Sequence, residues 1–295
     1  MRRILHLSVL CLALGVMAGC KPEEVVISEN IPTAGIRFIN AVPDSAGAFG
    51  LDFRFVDIVE SNAHFRIAFR NNPVTSGGVT ASTGIEYKNA RAGQRRFRIF
   101  LNDTLQAIAS VVVKDSTLNV EANHNYTVIL WGSGRSTGAD RMRLSVIDET
   151  VADPGASVAL RVINATNAAI DARQYIQGGT APAAATWANI APYSASSYTS
   201  VAPGRIMYNV QPAGGGTALF ADGLALIGAP ASSSAGVAGK IDTDPLPGTT
   251  VAGSAVSLIV FPRSTSPSRA PQTAAFLVPA GSFMWDRRPP RPPGA

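Results

Sequence analysis

Cysteine is almost missing from this chain, which has only Cys11 and Cys20. A pair confined to the N-terminus cannot build a disulfide framework, a redox motif or a thiolate metal cluster in the body of the protein. Stability must therefore come from burial. Histidine is nearly as scarce, with only His6, His64 and His124. A Ser-His-Asp triad needs one of these beside a nucleophile and a carboxylate, yet no Gly-x-Ser-x-Gly elbow occurs. Two downstream histidines so far apart, without cysteines, make a poor zinc set. Asp242-Thr243-Asp244 could open a calcium loop, but the glycine and glutamate such a loop requires are missing. No glycine loop of the phosphate-binding kind follows a strand and opens a helix. Charged residues are only 15% of the chain, with a formal net charge of +5, and they do not gather into the basic face of a nucleic-acid protein. The nearest cluster is Arg91, Arg95, Arg96 and Arg98, where Arg96 and Arg98 alternate with Phe97 and Ile99 as on a half-buried strand with a solvated outer face. The expectation is a protein that is not an enzyme, with no cofactor, no metal and no nucleic-acid partner.

What the chain does have begins at its N-terminus. Arg2 and Arg3 precede an apolar run from Ile4 to Val16 and small residues up to Gly19, the layout of a secretory signal peptide. The run is shorter than the roughly 20 apolar residues of a membrane-spanning helix. It ends in Val16-Met17-Ala18-Gly19-Cys20, which resembles the lipobox of bacterial lipoproteins, whose cysteine is acylated and becomes the mature N-terminus; Met17 stands where leucine is usual. Residues 1–19 thus read as signal peptide and 20–33 as lipidated Cys20 plus tether. Two or three acyl chains at about 0.8 kcal/mol per buried methylene hold such a protein on a membrane. Lys21 is not the aspartate associated with inner-membrane retention, so the expected location is the bacterial envelope, as an outer-membrane lipoprotein facing the periplasm or the cell surface.

Beyond the tether the chain alternates in short runs. Leu51, Phe53 and Phe55 share one strand face with Asp52 and Arg54 opposite, and similar runs occur at Ile36 to Ala41, Phe65 to Phe69, Phe97 to Leu101, Ile108 to Val113, Tyr126 to Trp131 and Met142 to Ile147. After Asp153-Pro154-Gly155 the composition shifts to Ala, Gly, Ser and Thr, with strand runs at Val158 to Ala165, Ile206 to Val210, Ala218 to Leu226, Val256 to Phe261 and Thr273 to Val278. The fold class read from this is all-β: two tandem antiparallel β-sandwich domains, immunoglobulin-like or transthyretin-like, at 34–150 and 157–285. Residues 286–295 read as a solvated Arg/Pro-rich tail.

The two halves echo each other. Arg37-Phe38-Ile39-Asn40-Ala41 returns as Arg161-Val162-Ile163-Asn164-Ala165, and Tyr87 precedes Gly93 at the same interval as Tyr198 precedes Gly204, an order that argues duplication. With Asn125-Tyr126-Thr127-Val128-Ile129, these motifs resemble the bacterial lipoprotein and surface family called domain of unknown function 4397, in two copies of which the second diverges. The resemblance implies a β-sandwich in a secreted or anchored protein and carries over no catalytic residue. If the repeated strands are equivalent, Phe38 and Asn40 face one way and Ile39 the other, with Val162, Asn164 and Ile163 disposed alike. Ile39 and Ile163 are then expected in separate cores, with Arg37 and Arg161 at the rim, heads in water.

One aromatic group stands out in the second half. Trp187, Tyr193 and Tyr198 lie among small side chains and could display faces for stacking on a sugar or peptide, although rings more often plug a sandwich core. The functional expectation is a lipid-anchored envelope protein with a structural or interaction role, partnered by its membrane and by an envelope protein or glycan; the alternative is a carbohydrate- or peptide-binding module built on those aromatics.

Overall fold

The computed structural model describes residues 31–43, 51–58, 69–71, 78–81, 87–101, 104–134, 136–232, 243–262 and 280–291. The runs of alternating and β-branched residues become β1 (Thr33–Ala41), β2 (Leu51–Phe55), β3 (Phe69–Asn71), β4 (Gly78–Ala81), β5 (Lys88–Arg91) and β6 (Gly93–Leu101). One helical turn, α1 (Gln106–Ala109), leads into β7 (Val112–Val120), β8 (Asn125–Trp131) and β9 (Arg143–Asp148). The second half contains β10 (Val158–Asn164), β11 (Ile170–Ile176), β12 (Trp187–Ile190), β13 (Ser194–Ala195) and β14 (Thr199–Val201). It continues through β15 (Ile206–Pro212), β16 (Phe220–Leu224), β17 (Ala255–Phe261) and β18 (Ala280–Arg287).

The protein is an all-β sandwich fold. Sheet order is β5-β1-β8-β9 and β3-β2-β6-β7 in the first half, β13-β10-β17-β18-β4 and β12-β11-β15-β16 in the second, with β14 also on β10. Most pairs are antiparallel, but each half has a parallel pair at its centre: β1 runs with β8, Arg37 opposite Thr127, and β10 runs with β17, Arg161 opposite Ser257. The halves are also stitched by backbone, because β4 of the first half adds in parallel to β18 of the second, Ala280 opposite Gly78.

Three apolar clusters fill the spaces between sheets. Phe38, Phe53, Phe97 and Val128 lie in the core of the first sandwich, and Val162, Trp187, Tyr208 and Leu258 in that of the second. The third joins the halves: Ile39, Ile129 and Trp131 pack with Ile163, Ile259, Phe261 and Met284. The sheets carrying β1 and β10 therefore meet face to face, and the four sheets stack in layers. Every residue of β10 and of β17 is buried, as are all but the first of β1 and of β8, the pattern of strands covered on both faces.

The face assignment within the repeated motif holds, but its consequence differs. Ile39 and Ile163 do not occupy separate cores; they share the core between the halves. Arg37 and Arg161 are not at a wet rim either, being 0% and 4% exposed. Strict alternation puts each arginine on its isoleucine's face, and that face is closed by the other half. The asparagines end the strands: the Asn40 carboxamide accepts from the Val42 N–H at 3.0 Å, and that of Asn164 from the Thr166 N–H at 3.0 Å, a local turn bond that Asn makes readily.

Other expectations also change. The strand expected at Ile108 to Val113 is α1 followed by the start of β7; its apolar residues Leu105, Ile108, Val111 and Val112 are on the surface, so apolar content there does not mark a buried strand. The 286–295 segment does not begin as a solvated tail: Asp286 and Arg287 end β18, Asp286 is 0% exposed, and Arg291 pairs with Asp244 at 2.8 Å. By contrast, Arg96 and Arg98 do lie on the wet face, both paired to Asp115 at 2.8 Å, while Phe97 and Ile99 are buried. Cys20, His64, Asp242 and the expected strand at Thr273 to Val278 lie outside the described residues.

Candidate functional site

The most concentrated polar chemistry lies between the two facing sheets, built from equivalent positions of the halves. Arg37 on β1 donates through Nε to the Thr127 hydroxyl on β8 at 2.7 Å, and Arg161 on β10 through Nε to the Ser257 hydroxyl on β17 at 2.7 Å. The guanidiniums lie 4.5 Å and 4.6 Å from the ring centroids of Tyr87 and Tyr198, which explains why each half keeps a tyrosine before its glycine. The Thr127 hydroxyl donates to Glu149 Oε1 at 2.6 Å, and that of Ser257 donates to Asp286.

The carboxylates then cross over. Arg161 Nη2 donates to both Glu149 oxygens at 2.5 Å, although Glu149 follows the last strand of the first half. Arg37 donates to Asp286, near the end of β18 in the second half, and to Glu149 Oε1 at 3.3 Å. Tyr198 donates its hydroxyl to Asp286 Oδ2 at 2.8 Å. Two cations thus face two anions in a dry seam. Burial pulls both guanidiniums down, but the surrounding tyrosines and carboxylates outweigh it, so both stay raised. Burial pushes the Asp286 carboxyl up, and Arg161, Arg37 and the Ser257 hydroxyl outweigh that in turn, leaving it below the usual carboxylate range. Burial also pushes the Tyr87 and Tyr198 phenols well up, so neither ionises near neutrality. With two cations matched by two anions, this arrangement links the halves.

The second feature is a cleft of about 500 Å³ where the halves meet at the surface, lined by Pro43, Ile170, Tyr193, Pro212, Leu219 and Pro262. Its polar edge is Asp140, whose Oδ1 accepts from the Tyr193 hydroxyl at 3.1 Å and Oδ2 from Asn167 Nδ2 at 3.3 Å. Arg143 lies 4.4 Å from the Tyr193 ring centroid, and Trp131 stands at 6.1 Å, inclined at 61°. Tyr193 has φ 55°, in the left-handed region that costs a bulky residue energy. Burial, and then the bond to Asp140, push its phenol up to about 12.

The three aromatics singled out in the sequence do not form one platform. Trp187 is a core residue, stacked on Tyr208 at 5.8 Å with its indole N–H given to the Ser197 carbonyl. Tyr198 belongs to the ionic seam, and Tyr193 alone borders a cleft. Glu149 and Asp286 escaped sequence reasoning because one stands just past the last strand run expected in the first domain and the other at the head of an apparent tail. Among the described residues no group of three His, Cys, Asp or Glu is placed to hold a metal ion, and no helix is long and apolar enough to cross a membrane.

No curated protein matches the chain. A family model does, over residues 34–173, from the start of β1 through β10 into β11. Arg37, Tyr87, Thr127, Glu149 and Arg161 fall within that span, and Tyr198, Ser257 and Asp286 beyond it. That model is DUF4397, a domain of unknown function, and its match is to residues 34–173.

Proposed function

We propose that this is a lipid-anchored protein of the bacterial cell envelope with a structural or interaction role rather than a catalytic one. The observation that carries the reading is the sequence Val16-Met17-Ala18-Gly19-Cys20 behind a basic and apolar leader, which directs acylation of Cys20 and leaves the body from Pro32 onwards tethered outside the cytoplasm. Support comes from how the buried polar groups are used: Arg37, Arg161, Glu149 and Asp286 neutralise one another between the sandwiches. A body built this way presents fixed surfaces.

Mass spectrometry of the mature N-terminus tests it. A diacylglyceryl cysteine at Cys20, absent in Cys20→Ser along with membrane association, is the expected result; an unmodified N-terminal residue ends the lipoprotein reading. The second reading, a ligand-binding module, is favoured by the cleft at Tyr193 and no longer involves Trp187, whose ring is in the core.

A further inference from the structure

We propose that the cleft at Tyr193 is a recognition pocket for an aromatic side chain bearing a hydrogen-bond donor, a tryptophan indole or a tyrosine phenol, presented by a protein partner. The proposal deepens the interaction role above and rests on it only for where that partner resides. Its volume of about 500 Å³ lies within the ~300–1,000 Å³ of small-molecule pockets, enough for one large ring and its flanking backbone. The cleft also sits where two sandwiches meet, a preferred place for such sites.

The walls select the chemistry. Pro43, Pro212, Pro262, Ile170 and Leu219 make one side of the cleft apolar, while Ser133, Asp140, Thr166 and Asn167 put polar groups on the other. A hexose carries hydroxyls all round its rim and would set some of them against the apolar side, at a cost for each left unpaired. An aromatic ring suits these walls and the Tyr193 ring, and rings prefer offset or edge contact. The polar edge selects the tip. Asp140 Oδ1 accepts a hydrogen bond from Tyr193 and Oδ2 one from Asn167, and a carboxylate oxygen has room for a second. Arg141 and Arg143 both follow Asp140 closely in sequence, with Arg143 over the Tyr193 ring, which disfavours an ammonium and leaves a neutral N–H or O–H as the matching donor. Trp and Tyr are also the residues that most often anchor interfaces by filling such pockets.

Tyr193 is held for this by both halves. Its backbone is in the left-handed region, while its hydroxyl, face and edge are fixed by Asp140, Arg143 and Trp131. Backbone strain that the surroundings over-determine is concentrated at binding sites.

The test is calorimetric titration of the full chain in detergent with p-cresol and indole as donor-bearing probes, toluene as the probe without a donor, and methyl glucoside as the sugar. Saturable binding of p-cresol and indole is expected, weakened about tenfold in Asp140→Ala, with toluene changed less than about twofold. Ala168→Trp, at an exposed position on the cleft, should abolish binding of every aromatic probe while leaving the melting temperature unchanged, so a misfolded Asp140→Ala would not leave the idea untested. Binding that Ala168→Trp does not affect, or saturable binding of methyl glucoside in place of the aromatics, overturns the proposal. Neither result bears on acylation of Cys20, so the two readings fail separately.

Discussion

Removing the Glu149 carboxylate tests the ionic seam most directly. Glu149 accepts from Arg161 at 2.5 Å through both oxygens, from Arg37 at 3.3 Å and from Thr127 at 2.6 Å, and its side chain is 0% exposed. In Glu149→Ala, two guanidiniums face Asp286 alone, leaving an uncompensated positive charge out of water. Breaking a buried pair from one side costs about 3–5 kcal/mol, a large share of the roughly 5–15 kcal/mol that holds most domains folded. Glu149→Met combined with Arg161→Met restores neutrality with apolar groups, so the double variant should lose less than the sum of the singles, by a coupling of about 1–3 kcal/mol. Denaturant unfolding followed by tryptophan fluorescence measures both, because Trp131 reports the core between the halves and Trp187 the core of the second sandwich. A Glu149→Ala loss under about 1 kcal/mol, or strict additivity in the double variant, would refute the account of a closed seam.

Three further outcomes are expected. Ile39→Ala and Ile163→Ala should each cost about 2–5 kcal/mol in denaturant melts, and because both residues lie in the shared core each should shift the Trp131 signal; an Ile163 variant invisible at Trp131 contradicts the packing. The depressed Asp286 carboxyl keeps its charge in the folded chain at pH values where the unfolded chain, with an ordinary value of 3.8, takes up a proton. Its stabilisation is therefore complete above about pH 4 and drains as pH falls, so wild-type stability should drop below that point more steeply than that of Asp286→Asn; parallel curves would show that Asp286 has no part. His124 is raised above 6.5, chiefly by its hydrogen bond to the Asp148 carboxylate at 2.9 Å. Its contribution is present below pH 6.5 and fades as pH rises through the folded value, and its NMR titration midpoint should lie above 6.5 and return towards it in Asp148→Asn; a midpoint at or below 6.5 in the wild type rules out that bond.

The strands were legible because their alternation is local. Phe53, Phe97 and Ile99 face one core while Arg96 and Arg98 face water, and nothing distant is needed to see it. Arg37 and Arg161 defeated the same logic, since a polar residue in an alternating strand reads as a wet face unless something else covers that face. What covers it is the other half of the chain, a contact with no local mark. A signal was present in the echo itself: each half repeats not only an apolar pattern but an arginine, a tyrosine and a hydroxyl residue, Thr127 or Ser257. A solvated arginine has no need of all three. The short strands β12 to β14 were hidden among Ala, Ser and Thr, where pairing to neighbours decides structure more than side-chain pattern does.

The likeness of the two facing sheets has a physical consequence. The first half alone would present Arg37, Ile39, Ile129 and Trp131 on the outer face of its central strands, an apolar surface with a charge set into it. The second half matches the apolar part with Ile163, Ile259 and Phe261. It does not match the charge, because an arginine meets an arginine. That repulsion requires an acid from each half, and the acids stand where each half's last strand finishes, Glu149 after β9 and Asp286 within β18. Each acid reaches across to the other half's arginine: Glu149 to Arg161, and Asp286 to Arg37. The shorter ion pairs of the seam are therefore those between halves, and the backbone exchange of β4 onto β18 runs in the same sense. Each half joined this way depends on the other to neutralise its buried arginine.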